Sequence, residues 1–209
     1  MKLSLISVLF AVTLCSNNPV IAQQKSMAGL DYLHKLQDKR TDSKTSLNKF
    51  LSGSATPISL ATPLTLWVTG MISDNKTLKK DALFALEGFA FSQTLSFGIK
   101  AIVNKERPHE ADSTLISLKN ATNGSFPSGH TSEAFATATS LTLITKKWYV
   151  AVPAYTWAAF VGHSRLYLGV HYPVDVFAGA LLGTGSSLLA YKLNKWMHHD
   201  KKKHQVKAD

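Results

Sequence analysis

The chain reads as an all-α helical bundle, and three observations predict it. Five apolar stretches, at about 55–72, 82–103, 132–145, 148–162 and 174–191, are separated by charged or polar segments. None alternates apolar and polar residues with the period of two that a half-buried strand requires, and no internal repeat is evident. The length of 209 residues fits one domain with a substantial core.

The N-terminus comes first. Met1-Lys2, the mostly apolar run from Leu3 to Leu14 and then Val20-Ile21-Ala22 form the basic, apolar and small-residue parts of a secretory signal, with cleavage expected after Ala22. Left uncleaved, the start would add a sixth transmembrane helix to the five. Cys15 follows Leu14, where a lipoprotein signal carries a small residue, so lipidation of Cys15 is disfavoured. It is the chain's single cysteine, and the mature protein must rely on packing rather than cross-links.

Residues 23–52 are polar, with Leu30, Leu33 and Leu36 at helical spacing, and read as an extracytoplasmic amphipathic helix or a loose arm. Residues 53–195 form the helical domain, and 196–209 a basic cytoplasmic tail. Several of the stretches are short for a hydrocarbon core about 30 Å thick, so a soluble bundle with buried central helices stands as the alternative to a membrane bundle. Gly179, Ala180, Gly183, Gly185 and Ser186 would let helices in a membrane bundle approach closely. Lys76, Lys79 and Lys80 follow the first stretch, Lys146 and Lys147 follow the third, and a lysine-rich segment follows the fifth. If these alternate loops face the cytoplasm, the remaining loops face outward. The arm is itself basic, with Lys25, Lys35, Lys39, Arg40, Lys44 and Lys49, so the asymmetry is one of density.

A charged fraction of 17% and a mean hydropathy of +0.01 lie between soluble and polytopic proteins and leave both open. The net charge of +10 is spread over separate loops and a tail, without an aromatic-interleaved stripe, which argues against nucleic acid. Anionic headgroups and phosphates explain its sign better.

Three clusters carry the chemistry. Lys100 stands seven residues before Arg107-Pro108; Pro127-Ser128-Gly129-His130 opens the third stretch; Ser164-Arg165 is followed by His171 and Asp175. Together they supply fixed cations, a glycine turn that frees N–H groups and two histidines, the parts of a metal-free phosphoryl-transfer site. Lys-x6-Arg-Pro, Pro-Ser-Gly-His and Ser-Arg-x5-His-x3-Asp resemble the signature of the type 2 phosphatidic acid phosphatase family, in its membrane-bound bacterial branch.

Arg107 and Arg165 suit bidentate contacts to phosphate oxygens, and Lys100 adds a compact point charge. Pro108 ends any helix before it and turns Arg107 toward the site. Ser128 and Gly129, at a loop-to-helix junction, would donate to phosphate where N–H groups are unpaired. His130 reads as the general acid for the leaving oxygen and His171 as the nucleophile. Asp175, in the first turn after Pro173, would fix the tautomer of His171. The resemblance implies the same assignment at every one of these positions. His130 and Glu133, one turn apart, supply too few ligands for a metal, so neither metal nor cofactor is expected. His163 and His109 flank the clusters as lesser candidates, and the histidines of the tail read as a solvated basic extension.

The resemblance implies a phosphatase of the bacterial cytoplasmic membrane, its site facing the periplasm, acting on a lipid phosphate or diphosphate. Undecaprenyl diphosphate, lipid A phosphates, phosphatidylglycerol phosphate and phosphatidic acid are the candidates. The alternatives are a soluble periplasmic acid phosphatase, a vanadate-dependent haloperoxidase and a lipid-binding scaffold without activity.

Overall fold

The computed structural model describes residues 19–120 and 123–205. The signal read at residues 1–22 lies, as far as residue 18 and including Cys15, outside the described residues, as do the last four residues of the basic tail. The helices are α1 (Pro19–Asp38), α2 (Asp42–Ile72), α3 (Lys76–Val103), the single turn α4 (Pro108–Ala111), α5 (Gly129–Thr145), α6 (Trp148–Tyr167) and α7 (Pro173–Gln205). Among the described residues there is no strand, and the all-α expectation holds.

Local chemistry sets the helix ends. Thr41 caps α2 by accepting from the Lys44 N–H, and Asn75 caps α3 by accepting from the N–H groups of Thr77 (2.9 Å) and Leu78 (3.2 Å). Because its cap lies at Thr41, α2 begins well before the apolar run at 55. α3 and α5 stop on left-handed residues, Asn104 (φ 38°) and Lys146 (φ 53°), whose N–H groups return to the carbonyls four residues back.

Short connections make sequential helices antiparallel. The turns at 73–75 and 146–147 therefore share one end of the bundle, where Lys76, Lys79 and Lys80 open α3 and Lys146-Lys147 form the second turn. The opposite end gathers the start of α2, the end of α3, the start of α5, the end of α6 and the start of α7. All three motif clusters sit there, on helix ends and on the connections 104–128 and 168–172.

α5 runs through the middle and touches α2, α3, α6 and α7. Its small residues permit this: Ala134, Ala136, Ala138, Ser132 and Ser140 are fully buried. A Cβ at Gly183 of α7 would lie 2.0 Å from the Ser132 carbonyl oxygen, so only glycine allows the approach. Hydroxyls bridge the helices, Ser187 donating to the Ala136 carbonyl (2.7 Å) and Thr137 to Ser59 (2.8 Å).

Outward-facing residues are apolar instead: Leu64, Phe97, Phe160, Phe177 and Leu181 are more than half exposed. Three segments, Asp42–Ile72, Lys76–Ala111 and Pro173–Trp196, are long and apolar enough to cross a membrane. Of the five helices expected to span, α5 and α6 are the shorter pair, at 17 and 20 residues.

Leu33 of α1 is buried, and with Leu30 and Leu36 it packs on Leu115, Leu166 and Tyr172. The amphipathic face read from the leucine spacing therefore docks on the motif-bearing connections. Arg40 fastens it, donating through Nη2 to the Tyr167 carbonyl and through Nη1 to the Ile116 carbonyl, both at 2.8 Å. His34 Nε2 adds a contact of 3.0 Å to Asp112.

Candidate active site

The end of α3 builds the first wall. Lys100 lies in its last turn, buried, and donates from Nζ to the carbonyls of Gly124 (2.6 Å) and Ser125 (3.4 Å). Asn104 then reverses the chain, and Pro108 starts α4 at the one position where a missing N–H is harmless. That leaves Arg107 at the helix cap, its own N–H held by Glu110 (2.7 Å). Its guanidinium donates to the Val170 carbonyl (2.6 Å) and to the carbonyl (3.0 Å) and side chain (2.9 Å) of Asn123. Lys100 and Arg107 thus tie the 123–125 segment and the His171 connection to one another.

Arg165 occupies the last turn of α6 and is almost wholly buried. Nη1 donates to Ser52 of α2, while Nε has no partner among the described residues. His171 follows in the connection to α7, and Asp175 in the first turn after Pro173. Three donors hold the Asp175 carboxylate: Lys105 Nζ on Oδ1 (2.8 Å), and the Ser125 hydroxyl and Tyr172 N–H on Oδ2 (both 2.9 Å). His171 Nδ1 stands 3.6 Å from Oδ2, facing it but beyond hydrogen-bond length.

One cavity of about 180 Å³ collects these elements. Lys100, Arg107, Gly129, His130, Arg165 and His171, drawn from all three clusters, line it. Asp175 stands behind His171 rather than on the wall. Ser128 is also off the wall: its N–H donates to the Asp175 carbonyl (3.0 Å) and its hydroxyl pairs with Thr131 (2.8 Å). Here Ser128 joins α5 to α7, and its N–H is taken by the Asp175 carbonyl rather than left for a phosphate. His163 and His109 are not among the lining residues.

Burial pushes the His171 imidazole down to about 3, against Asp175, which favours its charged form; Arg165 and Arg107 add to the depression. Burial thus favours the uncharged ring, with Nδ1 the nitrogen that faces Asp175. Around it Lys100, Arg107 and Arg165 converge, and Glu133 is the one carboxylate on the cavity wall among the described residues, so positive charge predominates as a site for an anion requires.

Several residues of the site were not foreseen. Lys105 and Ser125 hold Asp175, Asn123 holds Arg107, and Thr56, Gln93, Ser96, Lys119 and Glu133 are among the further residues of the wall. Gln93 and Ser96 had a readable signal, since they precede Lys100 on the same helical face. Thr56 and Ser52 had none, because only tertiary packing brings α2 to the site. Among the described residues no group of three or more His, Cys, Asp or Glu could hold a metal ion.

Comparison with known proteins follows the same geography. The PAP2 superfamily profile matches residues 81–198, a segment that contains all three clusters. The lipid A 4'-phosphatase of Bacteroides thetaiotaomicron is 32% identical over 109 residues, 49% of this chain and 48% of that protein. The undecaprenyl-diphosphatase of Sulfolobus acidocaldarius is 31% identical over 127 residues, 60% of this chain and 61% of its own length. The chain therefore spans about half to three-fifths of these curated relatives. Two crystal structures share the fold. Aquifex aeolicus LpxE superposes with a TM-score of 0.66 at 24% identity, covering 79% of this chain and 95% of that one. The transmembrane PAP2 type phosphatidylglycerolphosphate phosphatase of Bacillus subtilis gives 0.71 at 20% identity, covering 91% and 94%.

Proposed function

The chain belongs to the PAP2 superfamily, and from that premise we propose that it is a membrane phosphatase, releasing phosphate from a lipid phosphate or diphosphate through a phosphohistidine at His171. The observation that carries this reading is the single cavity on which Lys100, Arg107, His130, Arg165 and His171 converge. Two further features support a lipid substrate. The relatives include proteins named for lipid A and undecaprenyl diphosphate. An apolar groove of about 350 Å³ between α2 and α3, lined by Leu60, Leu64, Trp67, Leu83 and Leu86, begins one turn along α2 from Thr56 and suits a hydrocarbon tail.

In this reading Lys100, Arg107 and Arg165 neutralise the phosphoryl oxygens, which is most of what phosphoryl transfer asks of a protein. His171 Nε2 attacks phosphorus, and the bond to the leaving oxygen breaks as that oxygen takes a proton from His130. Positive charge then rests on the imidazole, where Asp175 stabilises it. Water, giving its proton to His130, next attacks phosphorus; the P–N bond breaks, phosphate leaves, and His171 recovers its lone pair. The lysines gathered at and beside the two short turns support a cytoplasmic position for that end of the bundle, and with it a site on the periplasmic side of a bacterial inner membrane.

Purified full-length protein in detergent, offered undecaprenyl diphosphate, lipid A, phosphatidylglycerol phosphate and phosphatidic acid, tests the proposal. Phosphate release from at least one, its loss in His171→Ala, inhibition by orthovanadate and indifference to chelators are expected. A magnesium requirement, or an active His171→Ala protein, would overturn it.

A further inference from the structure

The cavity extends beyond the anion grip. Its deeper part is lined by Thr56, Gln93, Ser96 and Glu133. Gln93, Ser96 and Lys100 follow one face of α3, so at 1.5 Å of rise per residue Gln93 lies about 10 Å below Lys100. Glu133 lies one turn below His130 on α5, on the same side.

Glu133 is 1% exposed, yet no cation is within ion-pair distance of it among the described residues. Neutral donors hold it: the Thr56 hydroxyl on Oε1 (2.8 Å) and the Gln93 amide on Oε2 (3.0 Å). Each carboxylate oxygen keeps a free acceptor position. Ser96, 2% exposed, also lines the cavity, and its hydroxyl has no partner among the described residues. A buried hydroxyl without a partner is costly unless something polar meets it when the site fills.

We propose that Gln93, Ser96 and Glu133 form a second subsite, on the leaving-group side, that takes an alcohol bearing a further hydroxyl and rejects a second phosphate. This rests on the phosphatase reading above and narrows its substrate class. With His171 attacking in line, the leaving oxygen lies beside His130, and the atoms next to it come within reach of Glu133. A hydroxyl there donates to the carboxylate and accepts from Ser96. A second phosphate offers only acceptors and brings negative charge against a buried carboxylate, which costs affinity. The cavity volume of about 180 Å³ admits a headgroup fragment, so the rest of the lipid lies outside. Glycerol- or sugar-based phosphates with a neighbouring free hydroxyl are favoured over polyprenyl diphosphates.

Three probes separate the effects: lysophosphatidic acid (a hydroxyl beside the ester), farnesyl monophosphate (neither group) and farnesyl diphosphate (a second phosphate). For the full-length protein in detergent, kcat/KM should fall in that order. Glu133→Gln should raise the diphosphate-to-monophosphate ratio about ten-fold, and Ser96→Ala should lower the lysophosphatidic acid-to-monophosphate ratio by a similar factor while leaving the diphosphate ratio unchanged. Ratios within about two-fold of the parent protein, in variants that still cleave farnesyl monophosphate, would overturn the subsite. Failure of the parent protein to cleave any ester would instead remove the phosphatase reading. Calorimetry would then decide the subsite alone: glycerol 1-phosphate should bind more tightly than pyrophosphate, with the preference lost in Glu133→Gln, and equal affinities in the parent protein would overturn it.

Discussion

Replacing Asp175 by asparagine keeps the shape of the side chain and removes its charge. The carboxylate is wholly buried, and its place at the start of α7 sets it 3.6 Å from His171 Nδ1. In the proposed cycle the imidazole is neutral at rest and positive once phosphorylated, so the attraction grows as the phosphoenzyme forms. Two unit charges at 3.6 Å attract by roughly 4–5 kcal/mol at an effective dielectric constant of about 20. Formation of the phosphoenzyme should accordingly slow by roughly 10³-fold. Folding should suffer less. The amide oxygen can still accept from Ser125 and Tyr172, and Lys105, 32% exposed, can turn its ammonium to water, so the loss is that of one charge-assisted hydrogen bond, about 1.5–3 kcal/mol. Rapid-quench measurement of acid-labile phosphate on the protein, with a melting curve in the same detergent, reads both effects. An asparagine variant that forms the phosphoenzyme within about ten-fold of the parent rate would refute the electrostatic role given to Asp175.

Arg40→Ala should release α1 and loosen both motif-bearing connections, lowering stability by roughly 2 kcal/mol and raising protease sensitivity around residues 112–120; Arg40→Lys should restore little, since one ammonium cannot bridge two carbonyls as the guanidinium does. Gly183→Ala should push α7 from α5 and cost about 1–3 kcal/mol or more, seen as a lower melting temperature, because the new Cβ would meet the Ser132 carbonyl at 2.0 Å. The depressed pKa of His171, about 3 in the folded protein, means that the unfolded chain holds a proton there that the folded chain lacks between that value and its ordinary 6.5. Stability from this source is complete above pH 6.5 and declines as pH falls toward 3, so His171→Gln should flatten the acid side of an unfolding-midpoint titration. An unchanged slope would contradict the burial of a neutral ring.

Much of the site was legible because its residue types are chemically committed. Arginine before proline, a glycine turn ahead of a helix and a histidine four residues before an aspartate each carry a local conformational preference along with their chemistry. The partners of those groups were not legible. Lys105 and Ser125 hold Asp175 from 70 and 50 residues away, and neither belongs to a pattern that marks it. Ser128 shows the converse: its position before α5 led to the expectation of a phosphate donor, yet α7 approaches so closely that the Asp175 carbonyl takes its N–H. The spacing of the leucines of α1 marks one face, but spacing alone does not say what that face covers.

Read alone, the order of residues settles the helical class, the antiparallel succession through short turns with lysines in or beside them and the identity of the charged and titratable groups at one end, since all of these depend on local periodicity and side-chain chemistry. Folding decides which backbone groups the cations hold, how far His171 stands from Asp175, that α1 covers the motif-bearing connections, and that Glu133 and Ser96 share a cavity with the arginines. These follow from distances between segments far apart in the chain, and such distances are set by which small residues let α5 and α7 touch, a packing solution that no single stretch contains.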